Sequence, residues 1–397
     1  MQLLRKPAVR NAVMIGSLCS ASYLGVYFAR NILSAVTPQI IESGAAGHEF
    51  IGTISSLYFT LYAVGQLING IVGDRIKARY MISFGLMLAG VCNALFPLAI
   101  TSPPLVCLTY GMTGFFLSMI WAPITKVVAE NTEPIYATRC SLGYTFASFL
   151  GTPLAGFAAA VMVWQSVFYA SSIVLLVMGA ICFLMFLYFE RSGIVRYGQY
   201  KQTKDSGGSI RVLLEHRIVK FTLISILTGV VRTAVVFWLP TYLSQYLGFP
   251  TDTAALLFTV SSFVISMTTF AAIFLYERLG RSLDLTMLVS FIASAASFLV
   301  VFLVKQPVIN IAFLILAIMA SNCAASMLWS RYCPSLRDTG MVSGVTGFLD
   351  FVSYMAAAAS TRIFAGAVPV IGWGRLILVW LALMACGVVI CLPRRKK

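Results

Sequence analysis

Gly70-Ile71-Val72-Gly73-Asp74-Arg75-Ile76-Lys77-Ala78-Arg79 is a short charged stretch set between two long apolar runs, residues 50–73 and 80–100. Each run meets the length of about 20 apolar residues needed to cross the hydrocarbon of a bilayer. The charged stretch therefore reads as a turn between two membrane spans. A degenerate copy, Glu277-Arg278-Leu279-Gly280-Arg281, lies 203 residues later (from 74 to 277) and again follows an apolar run. Two further pairs keep nearly that spacing. Arg30 and Arg232 are 202 residues apart, and Ser118-Met119-Ile120-Trp121 returns as Ser326-Met327-Leu328-Trp329 after 208. All three pairs fall on equivalent runs, so the chain reads as two similar halves in tandem.

Composition supports the membrane reading. The 397 residues are 59% hydrophobic and only 10% charged, whereas soluble domains carry about 25% charged residues. With so little polar surface a soluble core would stay uncovered. Lipid as solvent removes that conflict, and the length of the runs selects helices over barrel strands. Hydrophobicity and breakers predict spans at 12–36, 50–73, 80–100, 104–129, 138–162, 165–189, 218–245, 253–276, 283–304, 307–330, 340–367 and 373–392. The expected fold is an all-α membrane protein of about twelve transmembrane helices in two pseudo-symmetric six-helix halves. Residues 1–190 form the N-terminal half, 191–216 a linker and 217–397 the C-terminal half.

The net charge of +15 comes from short basic clusters scattered between apolar runs. No continuous basic face exists, so a nucleic-acid partner is excluded. The clusters fall on alternate connections: Arg5/Lys6/Arg10, Arg75/Lys77/Arg79, Arg139, the linker, Arg278/Arg281, Arg337 and Arg394–Lys397. The intervening connections carry Glu42, Glu49 and Asp252, with Lys305 and Arg375 as exceptions. The positive-inside rule then places both termini and the linker in the cytoplasm. The first apolar run is too long for a signal peptide and contains Arg30, so it reads as a retained span. Nine cysteines without a CxxC pair support neither a disulfide framework nor a zinc site. No cofactor or metal is expected. An enzyme is not expected either, because the chain has no P-loop and no nucleophile–base set.

With Gly70, Asp74, Arg75 and Arg79 in place, the charged stretch resembles the G-x-x-x-D-R-x-x-x-[RK] loop signature of the major facilitator superfamily. That resemblance implies a cytoplasmic gate, with Asp74 at a helix end pairing a neighbouring helix and Glu277 and Arg278 as the repeated copy. Ordinary loop charge is the competing reading. A narrower resemblance rests on four stretches: Tyr27-Phe28-Ala29-Arg30-Asn31; Tyr62-Ala63-Val64-Gly65-Gln66-Leu67-Ile68-Asn69-Gly70; Trp121-Ala122-Pro123-Ile124-Thr125-Lys126; and Arg232 followed by Trp238-Leu239-Pro240-Thr241-Tyr242-Leu243. Together they resemble the organophosphate:phosphate antiporter family. The resemblance implies a monomer in a bacterial plasma membrane that exchanges a sugar phosphate or glycerol phosphate for inorganic phosphate by alternating access. Two positions depart from the family pattern. Gln66 stands where a Lys is frequent, and Thr145 or Tyr144 where a fifth-span His is frequent. His48 and His216, the two histidines of the chain, fall in predicted connections. A site with fewer cations suits a less charged substrate.

The two membrane arginines need a reason to be there. An Arg at the centre of a spanning helix costs about 2.5–3.5 kcal/mol on insertion scales. Guanidinium stays charged and grips phosphate oxygens in pairs, so Arg30 and Arg232, one from each half, are candidate ligands of a phosphate. Internal pairing is the alternative. Asp350 is the one acidic residue deep in a predicted span, and reads either as a charge partner or as a proton-coupling carboxylate. Helical spacing lines up Tyr23, Tyr27, Arg30 and Ser34; Tyr58, Tyr62 and Gln66; and Thr346, Asp350 and Tyr354. The candidate substrate-binding residues are thus Arg30, Arg232, Tyr27, Tyr62, Gln66 and Asp350, with packing duty the competing role for each Tyr. Lys126, near a span end, reads as snorkelling to the interface. Two other functions remain open: a proton-coupled transporter of another organic anion, and a sugar-phosphate membrane sensor.

Overall fold

Helices account for nearly all of the chain in a computed structural model, which describes residues 7–72, 76–197, 216–336 and 342–392. Ten helical segments are long and apolar enough to cross a membrane. The last of them, Val345–Cys391, is two spans joined at Gly372, whose φ of 74° breaks the helix. Such a φ is open to glycine and strained for other residues. Pro134–Val161, 28 residues long, adds the fifth span, which brings the number among the described residues to twelve. Among the described residues there is no strand. Large apolar side chains such as Leu98, Leu184, Phe270, Val308 and Val370 lie on the outside. That surface belongs in lipid, and the protein is an integral membrane protein.

The spans are less uniform than the hydrophobic runs predict. The fourth, expected as one helix over 104–129, is Pro103–Leu117 and Trp121–Asn131 with a turn at 118–120. Ser118 Oγ donates to the carbonyl of Phe115 at 2.6 Å, and Pro123 has no N–H for the carbonyl of Met119. Both withdraw helical hydrogen bonds at one place. The repeated sequence in the tenth span also interrupts the helix, here as a π-helical segment, Leu328–Tyr332, after Pro307–Met327. The seventh span runs from Ile218–Gly229 through a π-helical segment, Val230–Val235, to Val236–Gln245. The eighth divides into Thr251–Ser266 and Thr268–Arg278.

Packing divides the chain into two compact units. The first consists of Met1–Ala46, Leu57–Gln202 and Thr251–Thr259. Inside it, Asn93 Nδ2 donates to Ser171 Oγ at 3.1 Å and ties the third span, Ala78–Ala99, to the sixth, Trp164–Arg191. Asn69 Nδ2 donates to Ser118 Oγ at 2.8 Å and holds the broken fourth span against the second, His48–Val72. The second unit consists of Gly47–Ser56, Thr203–Pro250 and Val260–Lys397. Its central pin is buried Asn310, which accepts from Tyr242 Oη at 2.6 Å and donates to the carbonyls of Val301 and Val304 at 2.9 and 2.8 Å. Those carbonyls end the ninth span and have no partner further along the helix. Interhelical bonds of this kind in membranes are worth about 0.6 kcal/mol each on average, so they orient helices more than they bind them.

Candidate functional site

Arg30 sits in the continuous first helix, Pro7–Glu42. Its guanidinium carbon lies 4.9 Å from the ring centre of Tyr62, 5.3 Å from Tyr27 and 5.7 Å from Phe59. Tyr62 is buried, while Tyr27 and Arg30 are half-buried. A cation over an aromatic face gains about 0.5–2 kcal/mol, so three rings offset much of the cost of placing an Arg in a span. Two predicted residues, Tyr27 and Tyr62, are thus brought to Arg30. Phe59 was missed, although it lies three residues before Tyr62 and shares its helix face. Around this group Tyr23 touches Tyr27 and Trp121 with centroids at 5.0 Å each, and Trp121 meets Tyr144 at 5.5 Å. Gln66 is half-buried on the same span as Tyr62, and Lys126 is half-buried in Trp121–Asn131.

Arg232 is held differently. It lies inside the π-helical segment of the seventh span, a geometry found mostly as single-turn insertions and frequently at functional sites. Arg232 Nη2 is 3.8 Å from Asp350 Oδ1, and the two side chains are 32% and 31% exposed. Its guanidinium carbon stands 5.7 Å from the ring centre of Tyr354, one turn beyond Asp350 on the eleventh span. The backbones are close here. A Cβ on Gly229 would lie 2.7 Å from the carbonyl oxygen of Ser353, so only glycine allows this approach. Ser225 Oγ adds a bond of 2.8 Å to the carbonyl of Leu349. Of the two roles read for Asp350, the charge partner has a structural counterpart in this pair.

The predicted gate divides between described and undescribed residues. Asp74 and Arg75 lie outside the described residues, as do the linker glycines Gly207 and Gly208. Gly70 falls in the last turns of His48–Val72. Arg79 is 7% exposed and anchored. Its Nη1 donates to Glu190 Oε2 at 2.8 Å, its Nη2 donates to Tyr80 Oη at 2.7 Å, and its guanidinium lies 4.6 and 5.3 Å from the rings of Tyr80 and Phe183. Tyr197 Oη also donates to Glu190, at 2.9 Å. Burial and that carboxylate push the Tyr197 phenol above the ordinary tyrosine range. Glu190 was read only as the start of the linker; its signal was the need of a buried Arg79 for an acid. In the repeated copy, Glu277 and Arg278 are exposed, with Arg278 5.0 Å from the ring of Phe274. His48, read as part of a connection, is the first residue of the second span and stacks on Trp238 with centroids at 5.7 Å. An open concavity beside it is lined by Gly47, His48, Glu49, Phe50, Thr53 and Pro369, and includes no predicted ligand. Among the described residues no group of His, Cys, Asp and Glu has metal-site geometry.

The long apolar helices define an integral membrane protein. The chain belongs to the Major Facilitator Superfamily, whose family model matches residues 19–361. It is 25% identical over 269 residues to the membrane sensor protein UhpC of Escherichia coli (strain K12), which covers 61% of this chain and 60% of that protein. It is 24% identical over 163 residues to a probable hexose phosphate transport protein of Chlamydia trachomatis, which covers 40% of this chain and 36% of that one. These alignments thus take in less than two thirds of each curated relative. A solved structure of the nucleoside transporter NupG superposes with a TM-score of 0.75, covering 96% of this chain and 100% of that one at 13% identity. That likeness concerns the fold.

Proposed function

We propose that this protein is a secondary transporter that exchanges an organophosphate, a sugar phosphate or glycerol phosphate, for inorganic phosphate by alternating access. The observation that carries the reading is the pair of membrane-embedded arginines at matching places in the two repeats, each half-buried and set beside side chains that sustain its charge. Arg30 and Arg232 bind the phosphoryl group; Tyr27, Tyr62, Gln66 and Asp350 contact or orient the substrate. The termini and the basic connections face the cytoplasm, where Arg79, together with Gly70, Asp74, Arg75, Glu277 and Arg278, forms the gate. Similarity to a hexose phosphate transport protein supports the substrate class.

Counterflow tests the reading. Purified protein in liposomes loaded with inorganic phosphate should take up labelled phosphate, and external hexose 6-phosphate or glycerol 3-phosphate should compete and drive phosphate out. Similarity to the sensor UhpC favours one second reading, a membrane sensor of sugar phosphate. The same preparation separates the two: saturable binding of a sugar phosphate with no exchange supports sensing. Exchange of unphosphorylated solutes alone contradicts both.

A further inference from the structure

The chain does not part from the first unit where the sixth span ends. Gly193, with φ at 70°, closes that helix and turns the backbone back. Its N–H donates to the carbonyl of Glu190 at 3.2 Å, and the N–H groups of Ile194 and Val195 donate to that of Phe189 at 2.9 and 3.2 Å. Val195 is buried. Arg196 N–H then donates to Asn131 Oδ1 at 2.6 Å. Asn131 is the last residue of the fourth span, and its Nδ2 donates to the carbonyl of Val127 at 3.0 Å. One end of that amide thus serves its own helix and the other end the returning chain. Tyr197 adds a second attachment. Its hydroxyl accepts from the backbone N–H of Arg79 and donates to Glu190 Oε1 at 2.9 Å. The third span begins after Lys77, whose side chain makes no capping bond. A helix N-terminus leaves N–H groups without partners inside the helix, and here a distant phenol takes one of them in place of a local cap. Arg79 Nη1 donates to Glu190 Oε2 at 2.8 Å, which closes a ring of three residues. All of these residues lie in the first compact unit.

We propose that residues 192–197 are a clasp: a strap that docks on the ends of the third, fourth and sixth spans and makes those ends open together or not at all. Asn131 and Tyr197 are its two catches. Helix ends ordinarily fray one by one, each at its own small free energy. Here one short segment bonds to all three ends, and its bonds share partners. Glu190 receives both Arg79 and Tyr197, and Tyr197 holds both Glu190 and the first turn of the third span. Linked hydrogen bonds of this kind strengthen one another, so release at either catch loosens the other. The clasp does not depend on which solute the protein binds, and so goes beyond the transport reading.

The test is hydrogen–deuterium exchange, read by mass spectrometry on purified full-length protein in detergent. In the wild type the amides of residues 193–196 should exchange about tenfold or more slowly than in a free peptide of the same sequence. Asn131→Ala removes the acceptor of the Arg196 N–H and should speed exchange across residues 193–196 several-fold. It should also speed exchange in the first turn of the third span, at Arg79, to which Asn131 is not bonded. Tyr197→Phe keeps the ring, removes the hydroxyl and should loosen the same two places. Asn131→Asp keeps the acceptor and should keep both protected. Free-peptide exchange at residues 193–196 in the wild type overturns the docked strap, and that result needs no variant to fold. A response to Asn131→Ala confined to the Arg196 amide overturns the coupling of the two catches, and with it the clasp.

Discussion

Arg30 and Arg232, 202 residues apart in the sequence, have different neighbours. In the first half Arg30 stands in a regular helix among the rings of Tyr27, Phe59 and Tyr62. In the second, Arg232 stands in a π-helical turn beside a carboxylate and one ring. The basic ends contrast as well. Arg79 and Glu190 form a pair only 9% and 17% exposed, whereas Arg217 and Asp284, 3.0 Å apart, are 66% and 46% exposed. Lys220 reaches the other oxygen of Asp284, also at 3.0 Å. The two arginines therefore have different surroundings, three rings at Arg30 and a carboxylate with one ring at Arg232.

The largest effect expected from this contrast is at Arg79. Removing one member of a buried, hydrogen-bonded ion pair costs about 3–5 kcal/mol, because the remaining charge is left buried. Arg79→Ala should lower the thermal midpoint of detergent-purified protein severely or abolish expression, and Arg79→Ala with Glu190→Gln together should recover part of the loss. A double variant as unstable as the single would show that Glu190 is not the partner that matters. Next comes Phe59. Phe59→Leu keeps an apolar side chain but removes one of three faces on Arg30, a loss of about 0.5–2 kcal/mol. The expected readout is a moderate drop in thermal midpoint; an unchanged melt would mean that two rings suffice. The smallest effect is at Arg217. An exposed pair contributes about 0–1 kcal/mol, and Lys220 remains on Asp284, so Arg217→Gln should melt within a degree or two of wild type. A loss as large as that of Arg79→Ala would erase the contrast between the two ends.

How much of this was legible before the structure varied with the kind of residue. Spans were readable because a bilayer demands long apolar runs. Arg30 with Tyr27 and Tyr62 followed from helical spacing on one or two helices. The break at Ser118–Ile120 was not legible: Ser and Pro are common in membrane helices, and withdrawn hydrogen bonds show only when the partner span is in place. The π-helical turn around Arg232 leaves no mark in hydrophobic pattern. Phe59 and Glu190 were passed over for the same reason. A Phe in an apolar run and a Glu at the end of one look ordinary until the distant residues they meet, Arg30 and Arg79, are brought beside them.

The central claim is that Arg30 and Arg232 bind the phosphoryl group through guanidinium geometry, and binding of inorganic phosphate to purified Arg30→Lys and Arg232→Lys proteins tests it most directly. Lysine keeps the charge, so insertion and folding should survive, but it lacks the flat fork that holds two oxygens at once. Each variant should lose about tenfold or more in phosphate affinity, at least about 1.4 kcal/mol, with a thermal midpoint near that of wild type. Wild-type phosphate affinity in both lysine variants would contradict the account.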